Sequence, residues 1–209
     1  MTATLGPCSL EGGFVRLEPL LATHAVGLAA AAQDSDWAWM SVDLKSASES
    51  VMNQWIERAL EAEGEGAEYA FTVFSQVTQR IVGSTRYLDV REAQKGVEIG
   101  ATWYSSSVWG TTVNPECKFL LMRHAFEDWG AIRVQLKTDN NNVHSQHAIM
   151  KLGATYEGRL RNHRLRRDGT YGDSMMYSVT VEEWNDHVKK NLRARIDACG
   201  APRRPDVDP

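Results

Sequence analysis

Residues 108–130, VWGTTVNPECKFLLMRHAFEDWG, begin as a loop of small residues and continue with apolar residues at helical spacing. The Asn-Pro-Glu triplet at 114–116 predicts a helix start with Asn114 as the N-cap, because Pro suits the first helical position and Glu suits the helix dipole. The free N–H groups of such a start bind anions, phosphate among them. Every helix has such an end, so the indication of a phosphate site is weak, and Trp109 and Val113 are equally consistent with core packing.

The common nucleotide-binding motifs do not occur in this stretch. It contains neither G-x-x-x-x-G-K-[ST] nor G-x-G-x-x-G, and Lys118 falls inside the predicted helix. A P-loop nucleotide-binding protein is therefore excluded. Lys118 is either a cation that aids the binding of a phosphate or an ordinary solvated lysine on a helix surface.

Two more side chains have the chemistry of proton transfer. Glu98 interrupts an apolar run, VEIGATW, and is either a general base or an ordinary outward-facing strand residue. Ser145 lies between His144 and His147 in NVHSQHAI, a composition that suggests a hydrolytic Ser-His arrangement. Residues one or two positions apart on a helix do not face each other, and no acidic partner is evident, so the sequence argues against a hydrolase triad.

The elements that must position these residues follow from apolar periodicity. The predicted strands are 14–20, 69–75, 79–90, 96–104, 132–139 and a pair of strands around the turn RDGT. The predicted helices are 21–33, 46–66, 114–129, 141–153 and 181–198. Short connections predict an antiparallel meander in the middle of the chain, and later helices act as crossovers, which indicates an α+β layered domain.

Length, charge and cysteine content limit the class of protein. The 209 residues suit one domain, which we expect to span residues 14–198, with an N-terminal extension at 1–13 and a flexible tail at 199–209. A net charge of -4 argues against a nucleic-acid-binding protein. Three cysteines far apart in sequence indicate neither a disulfide framework nor a zinc site. The sequence has no membrane-spanning apolar run and no secretory pattern at its start, which predicts a cytoplasmic protein.

Four segments in the same order resemble the GNAT superfamily of acyl-CoA-dependent N-acyltransferases, and within it the RimJ/RimL-type proteins. They are EIGATWY, the loop with LLMRHAFEDWG, VQLKTDNNNVHSQHAIMKLGA and YEGRLRNHRLRRDGTYGDSMMYSV. The resemblance implies a mixed, mostly antiparallel, strongly twisted sheet of about seven strands with helices on both faces. It also implies acetyl-CoA as co-substrate, with no metal, and makes a homodimer an open possibility.

The resemblance places the CoA site between two strands. In the family, the strand matching 97–104 splays from the strand matching 132–139, the pantetheine arm lies in the gap, and loop N–H groups bind the pyrophosphate. On this chain the cofactor-binding residues would be Thr102, Trp103, Trp109, Gly110, Thr111, Thr112, Val113, Asn114, Lys118, Asn142 and Ser145. The usual loop is Q/R-x-x-G-x-G/A, so Trp109, Thr112 and Asn114 depart from it, and Gly110 alone offers unusual backbone freedom.

The resemblance also suggests the catalytic groups. Glu98 would deprotonate the acceptor amine, directly or through water. Asn142 would cap a helix, and Ser145 would protonate the leaving thiolate, because the Tyr that many members use is missing from residues 148–151. A glutamate proposed as the base in RimL-type enzymes corresponds here to Arg164, so that role does not carry over.

The acceptor side is less determined by sequence. The resemblance places Trp37, Trp39 and Arg86 beside the acceptor pocket, although core packing is the simpler interpretation of each Trp. The basic run at 159–169 contains five Arg. It could contact an acidic protein acceptor or the 3′-phosphate of CoA. The simpler interpretation is a hairpin whose arginines are solvated. We expect N-acetyl transfer to a protein N-terminus, an amino acid or a small amine. The alternative is a non-catalytic CoA-binding or regulatory module.

Overall fold

A computed structural model describes residues 5–200, with side chains for residues 5–198. The strands are β1 Leu10–Glu11, β2 Val15–Pro19, β3 Glu68–Ser75, β4 Arg80–Arg91, β5 Gly96–Tyr104, β6 Arg133–Asp139, β7 Thr155–Leu165 and β8 Tyr171–Thr180. The helices are α1 Ala25–Ala32, α2 Glu49–Gly64, α3 Val113–Arg123, α4 Val143–Met150, α5 Val181–Glu183 and α6 Lys189–Gly200. Residues 201–209, most of the expected tail, lie outside the described residues.

Two π-helical segments extend the longer helices. His124–Trp129 continues α3 and ends at Gly130, and Trp184–Val188 joins α5 to α6. A short 3-10 turn at Ala22–His24 leads into α1. Within residues 5–200, no helix combines the length and the apolar character that crossing a bilayer requires.

The strands form one mixed sheet in the order β1-β2-β3-β4-β5-β6-β8-β7. Every neighbouring pair is antiparallel except β5 and β6, which are parallel. Short turns produce the antiparallel pairs, whereas the parallel pair needs a long crossover, which α3 supplies. The predicted α+β architecture and element order are confirmed, and the additional eighth strand is the two-residue β1.

Helices cover both faces of the sheet and bury two apolar clusters. The larger cluster joins the sheet to α3, α4 and α6, and includes Tyr87, Leu121 and Val134. The smaller cluster joins the sheet to α1 and α2, and includes Trp37 and Trp103. We call these two sides the α3 face and the α2 face. Because side chains alternate along a strand, neighbouring residues of β5 point to different faces.

Glu116 anchors the beginning of the chain to α3. Its carboxylate accepts hydrogen bonds from the N–H groups of Gly13, Phe14 and Val15 at 2.9, 2.6 and 2.7 Å. Burial of Leu5, 1% exposed, adds an apolar contact from the same segment. Glu116 therefore compensates buried backbone donors, which is a different role from the expected interaction with the helix dipole at the helix start.

A β-bulge interrupts the pairing of β4 with β5. Arg86 pairs with Gly100, but the next pair joins Ser84 to Trp103, so β5 contains one residue more than β4 across this interval. Ala101 lies within the bulge and has a φ of 47°. A bulge of this kind bends the strand and changes the direction in which its side chains and peptide groups point.

Candidate functional site

The strands β5 and β6 pair over only a short distance and then separate. Their three pairs are Gly96–Arg133, Val97–Val134 and Glu98–Gln135. Beyond Glu98, β5 remains paired with β4, and β6 remains paired with β8, but they do not pair with each other. The result is a V-shaped gap with unpaired backbone donors and acceptors along its edges, as the sequence resemblance implied.

Glu98 lies at the closed end of this gap. Its neighbours Val97 and Ile99 belong to the core on the α3 face, so alternation directs Glu98 to the α2 face. The side chain is 1% exposed in the folded chain, which excludes the ordinary outward-facing strand residue. Its Oε2 accepts hydrogen bonds from Gln135 Nε2 at 3.0 Å and Lys137 Nζ at 2.9 Å. The carboxylate is thus held in an ion pair and not in a purely apolar environment.

Lys137 connects this buried carboxylate to solvent. Its side chain is 38% exposed, whereas that of Glu98 is 2% exposed. The ion pair therefore reaches from the closed end of the gap to the surface on the α2 face.

The loop before α3 caps the helix two residues earlier than the sequence predicts. The first helical hydrogen bond runs from Glu116 N to Thr112 O at 2.9 Å, so Thr112 is the N-cap and the prediction of Asn114 at that position is wrong. Thr111 Oγ1 accepts from Val113 N at 3.3 Å and takes part of the capping role. The Asn-Pro-Glu triplet consequently falls within the first turn, where Pro is also tolerated.

Two N–H groups of this loop are available to a ligand. Within residues 5–198, the N–H groups of Gly110 and Thr112 donate to no protein acceptor. Gly110 has a φ of 72°, a conformation that favours glycine. Free N–H groups just before a helix can bind an anion, and the departures from the usual loop pattern leave these donors in place.

Trp109 and Val113 differ in how deeply their side chains are buried. Val113 is buried in the core, but the side chain of Trp109 is 50% exposed. Trp109 Nε1 donates to Tyr104 O at 3.1 Å, and its ring lies 6.5 Å from the ring of His144. The loop is thereby brought next to the start of α4, on the open side of the gap.

Asn142 and Ser145, the residues predicted to bind the donor, lie at the start of α4. Asn142 Oδ1 accepts from Ser145 N at 3.0 Å, so Asn142 is the N-cap, as expected. Ser145 is half-buried, and its hydroxyl has no hydrogen-bond partner among residues 5–198. The hydroxyl is therefore not used for capping and remains available to a ligand, and it contacts neither His144 nor His147 through a hydrogen bond.

A buried ion pair fixes the segment that leads into α4. Asp139 is 1% exposed and accepts two hydrogen bonds of 2.9 Å from Arg166. Its Oδ1 also accepts from Asn141 N at 2.9 Å. Burial by itself would raise the pKa of Asp139, but the hydrogen bonds from Arg166 and Asn141 N and the charges of Arg166 and Arg164 together outweigh it and hold the pKa below its ordinary value. The pair therefore ties the β7–β8 hairpin to the start of α4.

The basic run at 159–169 is mostly engaged within the chain. Arg159 pairs with Asp173, Arg166 with Asp139 and Arg167 with Asp43, while Arg164 donates to Trp39 O at 3.1 Å. The interpretation as a simply solvated hairpin is therefore incomplete. The contacts of Arg164 and Arg167 attach the hairpin to the loop between α1 and α2, which the sequence pattern did not indicate.

Lys118 lies in the protein interior. It is 5% exposed, and its Nζ donates to Thr85 Oγ1 at 3.2 Å and to Thr102 Oγ1. Burial lowers the pKa of Lys118 to about 8. The interpretation of Lys118 as a solvated helix lysine is therefore wrong. Its ammonium donates hydrogen bonds to the sheet and not to the loop before α3.

Two of the three residues expected on the acceptor side, Trp37 and Arg86, have their side chains engaged by other residues of the chain. Trp37 is 3% exposed and packs against Trp103 with ring centroids 5.0 Å apart, so it is a core residue. Arg86 forms an ion pair with Glu68 and lies 4.6 Å from the ring of Trp55. Trp39 is half-buried. Of the three predicted residues, Trp37 has the least surface to offer an acceptor.

Comparison with known proteins gives a consistent result. The family model of the acetyltransferase (GNAT) domain matches residues 15–155. A solved structure from T. thermophilus, described as an acetyltransferase, is 33% identical, covers 93% of this chain and 99% of its own, and has a TM-score of 0.77. No curated protein sequence matches the chain.

Two more distant structures share the fold. A GCN5-related N-acetyltransferase from Brucella melitensis has a TM-score of 0.85 at 24% identity, over 93% of this chain and 88% of its own. Mycobacterium smegmatis RimJ in complex with CoA-disulfide has a TM-score of 0.73 at 19% identity, over 91% of this chain and 93% of its own. These likenesses support the architecture described above.

Proposed function

Since the chain belongs to the GNAT acetyltransferase family, we propose that it transfers the acetyl group of acetyl-CoA to a primary amine by direct attack within a ternary complex. The observation that carries this proposal is the gap between β5 and β6, closed at Glu98 and Gln135 and open beyond them. An extended thioester arm fits between two separated strands, because their unpaired peptide groups supply hydrogen bonds along its length.

The donor site is assembled from three elements around the gap. The free N–H groups of Gly110 and Thr112 suit the CoA pyrophosphate. The unpaired edge of β5 at Thr102 and Trp103 suits the pantetheine arm, and Asn142 and Ser145 lie at the start of α4. These residues support acetyl-CoA as co-substrate, with donors for its pyrophosphate and its pantetheine arm.

Glu98 and Ser145 supply the proton transfers. The amine nitrogen attacks the thioester carbonyl carbon, and a proton of the amine passes to Glu98 through a water molecule. A backbone N–H group on the open edge of β5 stabilises the oxyanion. When the carbon–sulfur bond breaks, the Ser145 hydroxyl donates its proton to the thiolate, and solvent water returns a proton to Ser145 while Glu98 releases to solvent the proton that it took from the amine.

Cys117 does not act as an acyl carrier in this scheme. It is 0% exposed within the core, and burial raises the pKa of its thiol. A buried thiol with a raised pKa is a poor nucleophile at neutral pH. The structure of the site therefore favours direct attack by the amine over a covalent acyl-enzyme.

The proposal is tested by incubating the protein with acetyl-CoA and a panel of amines, with free thiol as the readout. The panel contains N-terminal peptides, free amino acids and small alkylamines, and each reaction has a control without amine. We expect amine-dependent thiol release for at least one class of acceptor. Tight acetyl-CoA binding without thiol release across the panel would instead identify a non-catalytic CoA-binding module.

A further inference from the structure

The buried ammonium of Lys118 has no role in the transfer chemistry, yet it is placed between two parts of the proposed donor site. Its partners are Thr85 on β4 and Thr102 on β5, which lie across from each other where the bulge interrupts the pairing of the two strands. Among the described residues, no carboxylate forms an ion pair with Lys118. Burial of a cation without a counter-ion is costly, so its presence requires an explanation.

The hydrogen bonds around Lys118 span the bulge at Ala101. Thr85 Oγ1 and Thr102 Oγ1 are 2.8 Å apart, and Thr102 Oγ1 also donates to Gly100 O at 3.4 Å. The ammonium therefore joins a network that holds β4 to β5 where their regular pairing is interrupted. Thr102 lies on the part of β5 that has already separated from β6.

The same network joins β5 to α3. The Lys118–Thr102 hydrogen bond joins these two elements near the bulge, and the Tyr104 hydroxyl of β5 meets the Cys117 thiol of α3 at the end of the strand. The helix α3 begins at the loop with the free N–H groups, and β5 forms one wall of the gap. The two elements therefore form opposite ends of one elongated donor site.

We propose that Lys118 is a positioning residue that fixes the bulged part of β5 against α3, and so sets the distance between the phosphate-binding loop and the wall of the gap. This inference rests on the proposed function, because it concerns the binding of acetyl-CoA. Lys118 contributes to donor affinity through Thr102 and the bulge, without touching the reacting atoms.

The pKa of Lys118 is lowered to about 8, because keeping the charged ammonium in the interior costs folding free energy. Removal of the charge should therefore relieve a stability cost while it loosens the donor site. Thr85 and Thr102 still bond to each other when Lys118 is replaced, so no buried hydroxyl is left without a partner. A residue needed only for folding would lower both stability and affinity.

The test compares Lys118→Met with wild type in the full chain. We measure acetyl-CoA affinity by calorimetry, steady-state kinetics with the best amine of the panel, and unfolding in urea. We expect Lys118→Met to fold, to be at least as stable as wild type at neutral pH, and to weaken acetyl-CoA binding about tenfold, with kcat changed by less than about twofold. Lys190→Met, at an exposed lysine of α6, is the matched control and should change none of these values.

A second pair of variants tests the connection through Thr102. Thr102→Val removes the hydroxyl at nearly constant volume and should reproduce the loss of affinity, whereas Thr102→Ser keeps the hydroxyl and should retain affinity. Because Lys118 and Thr102 act through one contact, Lys118→Met combined with Thr102→Val should lose little more affinity than either change alone.

The outcomes separate this inference from the proposed function. If wild type binds acetyl-CoA and Lys118→Met binds it equally well, the positioning role is wrong and the proposed function stands. If Lys118→Met loses stability and affinity together and Thr102→Ser loses as much affinity as Thr102→Val, Lys118 is a structural residue only. If wild type itself fails to bind acetyl-CoA, both the proposed function and this inference are overturned.

Discussion

Glu98 and Gln135 form the last pair between β5 and β6, and the two strands separate immediately beyond them. The Glu98 carboxylate accepts a hydrogen bond from the side chain of the same Gln135 at 3.0 Å. The register of the sheet therefore places a buried carboxylate at the point where the gap begins. This coincidence of strand register and buried acid is the reason for which we propose Glu98 as the group that deprotonates the amine.

Glu98→Gln should lower kcat by about 100-fold or more at neutral pH, because the amide cannot accept the proton of the amine. The affinity for acetyl-CoA should remain close to that of wild type, since Glu98 lies at the closed end of the gap and not at the loop that suits the pyrophosphate. Thiol release measures the first effect and calorimetry the second. Glu92→Gln, at a glutamate whose side chain is 56% exposed, is the matched control.

Retention of wild-type turnover by Glu98→Gln over the whole accessible pH range would exclude Glu98 as the base. Loss of turnover by both Glu98→Gln and Glu92→Gln would point to a general effect of charge on the protein.

Ser145→Ala should lower kcat with little change in stability. The Ser145 hydroxyl makes no hydrogen bond among residues 5–198, so its removal leaves no protein group without a partner. A loss of about tenfold or more in kcat would reflect a thiolate that leaves without a proton donor. Steady-state thiol release and urea unfolding provide the two values, and an unchanged kcat would rule out the acid role.

Asn142→Ala, in contrast to Ser145→Ala, should lower the stability of the protein. Its side chain caps α4 through Ser145 N, and loss of such a cap costs about 1 kcal/mol of unfolding free energy. We also expect a higher KM for acetyl-CoA, because the start of α4 lies at the open side of the gap. Asn142→Asp keeps a capping oxygen and should recover the stability; failure to do so would contradict the assigned cap.

Lys118 should make stability rise with pH in the alkaline range. Its folded-state pKa is lowered from 10.5 to about 8, so the folded chain releases the proton first and the cost of burying the charge disappears as pH rises between these values. The gain is at most about 3 kcal/mol. Below pH 8 both states are protonated, and the full cost is present.

The measurement is the difference in unfolding free energy between Lys118→Met and wild type, followed from pH 7 to pH 10.5. Groups near Lys118 also titrate: burial raises the pKa values of Cys117 and Tyr104, which lowers stability at high pH in both proteins. Taking the difference removes the contribution of Tyr104, whereas that of Cys117 cancels only in part, because the Lys118 charge lowers the pKa of the Cys117 thiol in wild type alone. The advantage of Lys118→Met should be largest at pH 7 and should shrink toward pH 10.5; a constant difference would contradict a buried charge.

Sequence periodicity was sufficient for most of the fold. The strand predicted at 96–104 has the same limits in the structure, and the predicted helix at 114–129 differs by one residue at its start. These elements have long apolar patterns that tertiary contacts do not override. The two-residue strand β1 has too few residues to show any period and was not predicted.

Local rules predicted part of the local geometry around the candidate site, although the cap of α3 is Thr112 and not Asn114, and the contacts between distant residues were not predicted. Asn142 caps α4 as expected, because capping depends on residues within one turn. Lys118 and Glu116 are buried by partners on other elements, and no local pattern distinguishes them from surface residues of a helix. The basic run likewise gave no indication that Arg166 pairs with the buried Asp139.

The most direct test of the central claim is a single assay that records free thiol and the mass of the amine product together. Wild type, Glu98→Gln and Ser145→Ala are assayed side by side with acetyl-CoA and the amine panel. We expect wild type to release one thiol for each acetyl group gained by an amine, and both variants to do so far more slowly. Thiol release without an acetylated amine, or equal rates in all three proteins, would contradict it.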